Sequence, residues 1–114
     1  LPSSVAAFHL AMGPDDALYV TGPTLGSYDC VYRVDLAGHV EVVDQTFGRP
    51  QGLAFDAAGV LHVVEALAGV SGIYALHESA PKELVVGGSR LVGLAFGRNG
   101  RLVVSTSDTI YGFG

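Results

Sequence analysis

Three stretches of this chain superimpose without a gap: His9-Leu-Ala-Met-Gly-Pro-Asp-Asp-Ala-Leu-Tyr-Val20, Gly52-Leu-Ala-Phe-Asp-Ala-Ala-Gly-Val-Leu-His-Val63 and Gly93-Leu-Ala-Phe-Gly-Arg-Asn-Gly-Arg-Leu-Val-Val104. They begin 43 and 41 residues apart. Each reads Leu-Ala-Met or Leu-Ala-Phe, then a short turn, then Leu-x-Val. A second element follows each one, as Val31-Tyr32-Arg33-Val34, Ile73-Tyr74-Ala75-Leu76 and Ile110-Tyr111-Gly112-Phe113. A third, Val40-Glu41-Val42-Val43, matches Glu83-Leu84-Val85-Val86 and has no counterpart in the last unit. Such a period limits the possible folds severely. Each unit is one supersecondary element that buries its faces only by stacking on its neighbours.

The elements read as strands. Windows between glycines and prolines are too short for helices, and Val, Ile and Tyr dominate them. Asp16, Gly59 and Gly100 stand last in the first turn of each unit, where a hairpin often needs positive φ. Asp35-Leu-Ala-Gly38 supplies a similar turn later in the first unit.

Four short strands per roughly 40 to 50 residues is the period of a β-propeller blade. A blade is covered on both faces, so its strands lack a clean polar side, as in Val60-Leu-His-Val-Val64 and Leu102-Val-Val104. Gly52, Ala54, Gly93 and Ala95 suit the crowded innermost strand. An unrepeated β-sandwich is the alternative, and it leaves three matching segments to coincidence. The expected fold is therefore all-β: a β-propeller segment of about three four-stranded blades, the last incomplete, from a six-bladed ring. The blades are assigned to residues 1–47, 48–88 and 89–114. An open arc leaves apolar faces and strand edges bare. Its expected partners are the remaining blades of the same propeller or a second copy of the chain. The chain opens on Leu1, and a piece trimmed from a longer protein is expected.

Charge narrows the function classes. Six Lys+Arg against eleven Asp+Glu give a formal charge of −5, and Lys82 is the only lysine. No basic stripe exists for nucleic acid. Apolar runs fall well short of the roughly 20 residues of a membrane span. A soluble chain is expected, in no particular compartment. Cys30 stands alone, which excludes an intrachain disulfide and a Cys-x-x-Cys site. It reads as a buried, inert thiol. No Gly-x-Ser-x-Gly, Gly-x-Gly-x-x-Gly, Walker loop or His-x-x-x-His pair appears.

Pro50-Gln-Gly-Leu-Ala-Phe-Asp56 followed by Gly59-Val-Leu-His-Val63 resembles the NHL repeat and the repeats of SMP-30/gluconolactonase-type propellers. The resemblance extends over essentially the whole chain. It implies a superfamily of lactone hydrolases, a lyase, strictosidine-synthase-like enzymes and many non-catalytic binding scaffolds. Its lactonase branch implies one divalent cation, often calcium, held near the axis by Glu, Asp and Asn where inner strands begin. The matching positions here are Phe8, Gln51 and Val92. Two of them bear no donor. No cofactor is therefore expected from this chain, and calcium or another divalent cation belongs to a complete propeller whose ligands lie mostly elsewhere.

Loops entering the first strand and loops joining the second to the third share one rim in this architecture. That rim gathers His9, Arg49, Gln51, Glu65, Arg90 and Asp108, with the loops 21–30 and 65–72. His9, Arg49, Gln51, Glu65 and Asp108 are the candidate contacts for a small-molecule ligand; no catalytic residue is assigned. Glu65 also fits a solvated loop carboxylate, and His9 a structural imidazole. His62 aligns with Tyr19 and Val103, which points to packing. His39 and His77 fall at outer turns. The leading reading is a scaffold segment that supplies a ligand-binding rim. The alternative is part of a metal-dependent lactone or ester hydrolase.

Overall fold

The computed structural model describes residues 9–22, 29–67, 70–77, 80–88, 91–97, 100–106 and 109–113. These form eleven strands. β1 (His9–Met12), β2 (Leu18–Thr21), β3 (Asp29–Val34) and β4 (Val40–Phe47) make the first sheet. β5 (Pro50–Phe55), β6 (Leu61–Leu67), β7 (Val70–Leu76) and β8 (Glu83–Gly88) make the second. β9 (Gly93–Phe96), β10 (Leu102–Ser105) and β11 (Ile110–Phe113) make the third. Within each sheet the strands are antiparallel and ordered as in the chain. The inner strands pack in succession, β1 on β5 and β5 on β9. This is the all-β propeller arc expected from the period, with a last blade of three strands.

The repeat reaches down to single hydrogen bonds. In the first turn of blade 1, Gly13 N donates to Ala17 O and Asp16 N to Gly13 O. Asp56 N to Val60 O and Gly59 N to Asp56 O reproduce the pair in blade 2, as do Gly97 N to Arg101 O and Gly100 N to Gly97 O in blade 3. The turn-closing residues Asp16, Gly59 and Gly100 take φ of 62°, 83° and 77°. A left-handed residue lets a short loop follow the twist of its strands.

Register explains why the repeat reads as it does. Residues directly opposite in a ladder share a face, and alternate residues share it along a strand. In blade 2, Leu53, Phe55, Leu61, Val63, Tyr74 and Leu76 therefore lie on one face. That face packs against Ala11, Tyr19 and Val31 of blade 1, with Phe47 beside them. The opposite face carries Gly52, Ala54, His62, Val64, Ile73 and Ala75. Val64 and Ile73 pack there against Leu94, Phe96, Leu102 and Val104 of blade 3, with Leu91 alongside. Blade 2 thus turns a back face of large apolar residues to blade 1, and along its inner strand it turns the small front positions Gly52 and Ala54 to blade 3. The motif Gly-Leu-Ala-Phe is this alternation in four letters.

The two interfaces repeat one contact. Phe55 meets the edge of Tyr19 with ring centroids 4.8 Å apart, and Phe96 meets His62 at 4.9 Å. His62 is buried, and its Nδ1 lies 3.0 Å from the Val60 carbonyl oxygen. It is a packing residue, as its alignment with Tyr19 implies. Val31, Phe47, Val63, Val64 and Ile73 are wholly buried. Each contributes roughly 1.5–3 kcal/mol by leaving water. Blade-to-blade burial therefore outweighs hairpin formation, since an isolated hairpin is marginal.

Nearest the axis there is no room for a side chain. A Cβ on Gly52 would stand 2.9 Å from Gly93 Cα and 3.0 Å from Val92 O. Both neighbours are backbone and cannot step aside. Gly52→Ala is expected to lower stability by about 1–3 kcal/mol, the range of core overpacking. Gly87→Ala, where a Cβ meets nothing within 4 Å, is expected to stay within about 0.5 kcal/mol of the parent. Urea denaturation of the two variants checks the contrast; equal effects would refute the close approach.

Candidate functional site

One rim collects the start of β1, the end of β2, the starts of β3 and β5 and the end of β6. His9 opens β1 and Gln51 is the second residue of β5. Both are partly buried, and His9 Nε2 lies 3.3 Å from Gln51 Oε1. Thr21, wholly buried at the end of β2, donates its hydroxyl to the Gln51 backbone oxygen at 2.6 Å. Blade 1 thus holds Gln51 at both ends, side chain by His9 and main chain by Thr21. On the other side, Gly52 N donates to Val92 O at 3.0 Å. Three adjacent inner strands are laced together at this level.

The roles at the His9–Gln51 contact follow the imidazole tautomer: an Nε2–H donates to the amide Oε1, and the second ring nitrogen and the Gln51 amide nitrogen then face the rim. Side by side, these suit a group that both gives and takes a hydrogen bond, such as a hydroxyl.

The remaining rim candidates have other duties. Glu65 Oε2 accepts from Gly48 N at 2.8 Å and lies 3.6 Å from Lys82 Nζ. Its side chain is 13% exposed. Lys82 also donates to Thr46 O at 2.9 Å and sits over the rings of Phe47 and Tyr74, 4.1 and 4.9 Å from their centroids. Together they brace the link between β4 and β5. Arg49 lies in that link at φ 51°, and its carbonyl accepts from Ala66 N at 3.3 Å. A non-glycine residue there costs roughly 1–2 kcal/mol, and the bend delivers buried Pro50 into β5. Asp108, Arg90 and Phe8 lie outside the described residues.

Sequence reading missed Thr21 and Lys82. Thr21 aligns with Val64 and Ser105 and reads as filler. Lys82 had one signal, being the only lysine of an acidic chain. Cys30 is partly rather than fully buried, between buried Asp29 and Val31 at the irregular start of β3. It supports Tyr32, whose hydroxyl is pushed above its usual range by burial first and by the Cys30 contact second.

The residues do not fit the axial metal that the resemblance implies. At the three inner-strand starts stand a neutral amide, Val92 and a residue outside the described set. A calcium-type ion takes six to eight oxygens, several of them carboxylate. Among the described residues no group of three or more His, Cys, Asp or Glu could hold a metal.

A cleft of about 770 Å³ opens at the other end of the strands, between blades 1 and 2. Asp15, Tyr19, Arg33, Phe55, His77 and Lys82 are among its walls. Its charges are already matched. Asp15 Oδ2 accepts from Arg33 Nε at 2.9 Å and from Tyr19 OH at 3.0 Å, and Arg33 Nη1 lies 3.5 Å from Glu41. The Arg33 guanidinium, more than any other group, holds the Asp15 carboxyl below its ordinary range.

No family model matches the chain, and no curated protein does. Solved structures do. A streptogramin B lyase matches with TM-score 0.74 and 18% identity, over 96% of this chain and 37% of its own. A gluconolactonase from Xanthomonas campestris matches with TM-score 0.70 and 21% identity, over 91% of this chain and 42% of its own. Virginiamycin B lyase from Staphylococcus aureus matches with TM-score 0.67 and 16% identity, over 99% and 43%. The chain spans less than half the length of these structures. The likeness establishes the fold, that of a segment of a β-propeller. No helix among the described residues is long and apolar enough to cross a membrane.

Two predictions concern these clusters. Glu65→Ala strands the Gly48 N–H and removes the anion beside Lys82, and about 1–3 kcal/mol of stability is expected to be lost. Lys82→Met keeps the stem over Phe47 and Tyr74 and is expected to cost less. Chemical denaturation ranks them; the reverse order would refute the brace. For Asp15, an NMR titration is expected to place its midpoint below 3.8 and to move it upward in Arg33→Met. The sign follows from linkage: a depressed folded value stabilises above the unfolded carboxyl range and is lost as pH falls through it. An unmoved midpoint would refute the pairing.

Proposed function

We propose that the chain is an arc of a β-propeller whose axial rim binds a small, neutral, hydroxyl-bearing molecule. The observation that carries this reading is the His9–Gln51 pair at 3.3 Å. Two neighbouring blades bring polar side chains to the inner wall. Their remaining hydrogen-bonding groups are the second ring nitrogen of His9 and the amide nitrogen of Gln51. Arg49, held in a left-handed turn one residue before β5, adds a cation to the same rim; such backbone strain clusters at functional sites. Glu65 supports the rim from behind, through Gly48. Further blades complete the ring, from the same propeller or a second copy.

The alternative is a segment of a divalent-metal-dependent lactone or ester hydrolase. Its support is the match to the gluconolactonase fold. The donors of this chain do not favour it, since hydrolysis would need the carboxylates and the cation from other blades. The chain alone then binds without turnover.

Chemical-shift mapping tests the reading. Glucono-δ-lactone and gluconate, titrated into the ¹⁵N-labelled chain, are expected to shift His9, Thr21, Gln51 and Gly52 for the neutral lactone. Gln51→Ala should weaken that response about tenfold, the cost of one hydrogen bond of roughly 1–1.5 kcal/mol. Perturbations spread elsewhere, or none with either compound, would overturn it. Saturable calcium binding lost on Gln51→Ala would instead revive the metal reading.

A further inference from the structure

The cleft between blades 1 and 2 is a second place where departures from the repeat meet. Asp15, Tyr19 and Arg33 line it from blade 1. The equivalent positions of blade 2 hold Ala58, His62 and Ala75, so the packing of a blade does not call for this polar set. Tyr19 meets Phe55 across the interface. Leu61 and Leu76 of blade 2 and Val43 of blade 1 extend that contact into an apolar floor. Leu61 is 5% exposed and Val43 39%, so the floor runs from the core out to solvent. The volume of about 770 Å³ falls in the range of roughly 300–1,000 Å³ found for small-molecule sites, which are concave and mostly apolar with a few polar groups.

The charges of the walls are paired but not balanced. Asp15 and Glu41 share one guanidinium, that of Arg33, at 2.9 and 3.5 Å. Asp44 stands on the same wall and accepts from the Thr46 N–H and hydroxyl, which are neutral. On the opposite wall, Lys82 is turned to Glu65 and to the Thr46 carbonyl and is answered there. Blade 1 therefore presents a surplus of carboxylate oxygen beside an apolar floor, and the Glu41 side chain is 64% exposed. The same interface shows what satisfies such a combination. The Lys82 ammonium rests over the rings of Phe47 and Tyr74 with a carboxylate beside it.

We propose that this cleft binds a small organic cation, a protonated amine carried on an apolar chain. The ammonium is met by Glu41 and Asp44, and the chain lies along Phe55, Leu61 and Leu76. An ammonium brings only donors and a positive charge, as a wall of acceptors requires. A neutral alcohol answers the acceptors but not the charge, and a carboxylate answers neither. The cleft includes none of His9, Thr21 and Gln51, so failure here leaves the axial reading standing.

Hexylammonium, 1-hexanol and hexanoate share one chain length and differ in charge. Each is titrated at neutral pH into the ¹⁵N-labelled 114-residue chain. Hexylammonium is expected to shift the amides of Tyr19, Arg33, Glu41, Asp44, Leu61 and His77, and to saturate at millimolar concentration, as so small a ligand does. Hexanol is expected to bind about tenfold more weakly and hexanoate more weakly still. Glu41→Gln with Asp44→Asn removes two charges and keeps an acceptor oxygen at each place. This double variant is expected to retain the parent circular dichroism, to lose about tenfold in hexylammonium affinity and to bind hexanol as before. Should it unfold, Glu41→Gln alone, altering an exposed side chain of β4, decides by a loss of about threefold. Equal affinity for the three compounds, a preference for hexanoate, shifts scattered elsewhere or no response would overturn the proposal. So would a folded variant that holds hexylammonium as tightly as the parent.

Discussion

The polarity of the blade is the constraint on which the rest depends. Large apolar side chains leave one face of each inner strand and glycine or alanine the other, while Tyr19 and Val31, or His62 and Ile73, fill that second face farther out. This alternation makes stacking directional. It also brings inner strands within backbone contact, as at Gly52 and Gly93. A symmetric blade, apolar and large on both faces, would pack at the greater distance typical of sandwiched sheets, about 10 Å. Its inner strands could not approach in this way. The hydrogen bond from Gly52 to Val92 and the lacing of Gln51 by Thr21 and His9 both require the short spacing.

That polarity was legible because it repeats. Leu53, Phe55, Leu61 and Val63 are matched letter for letter or nearly so in the neighbouring units, and the period of two assigns them to one face. The turn residues Asp16, Gly59 and Gly100 were legible for the same reason. What escaped was everything that occurs once. Lys82 crosses from the foot of blade 2 to the top of blade 1, a path that depends on two aromatic rings forming its wall. Glu65 looked like a loop carboxylate because its partner is a backbone N–H, and backbone has no letter in the sequence. Thr21 was hidden by its alignment with Val64, which fills a similar volume without a hydroxyl.

At the axis, the same logic divides scaffold from chemistry. Equivalent positions hold residues of one type where packing decides, as with Tyr32, Tyr74 and Tyr111. They diverge where it does not. The inner-strand starts diverge sharply, with Gln51 beside Val92. Here His9 replaces the glycine of its counterparts. Its imidazole turns toward Gln51, so two departures from the repeat meet each other. A chance pairing of non-repeated polar residues would more often leave them apart, each solvated by itself.

The energetics of an arc differ from those of a ring in one respect. Repeat proteins draw stability from nearest-neighbour interfaces, and three blades in a row have two such interfaces. Closure adds one interface per end without ordering another residue, so the added burial is not opposed by new backbone entropy of about 1–2 kcal/mol per residue. The free ends are therefore the places where a small amount of association yields the largest return in stability. Leu10, Met12 and Val42 stand exposed on blade 1, as Leu84 and Val85 do on blade 2 and Ile110 and Tyr111 on blade 3. Blade 1 also bears His9 and Thr21. Whatever covers its back face fixes the strand from which the rim is built, so assembly and the geometry of the axis rest on the same sheet.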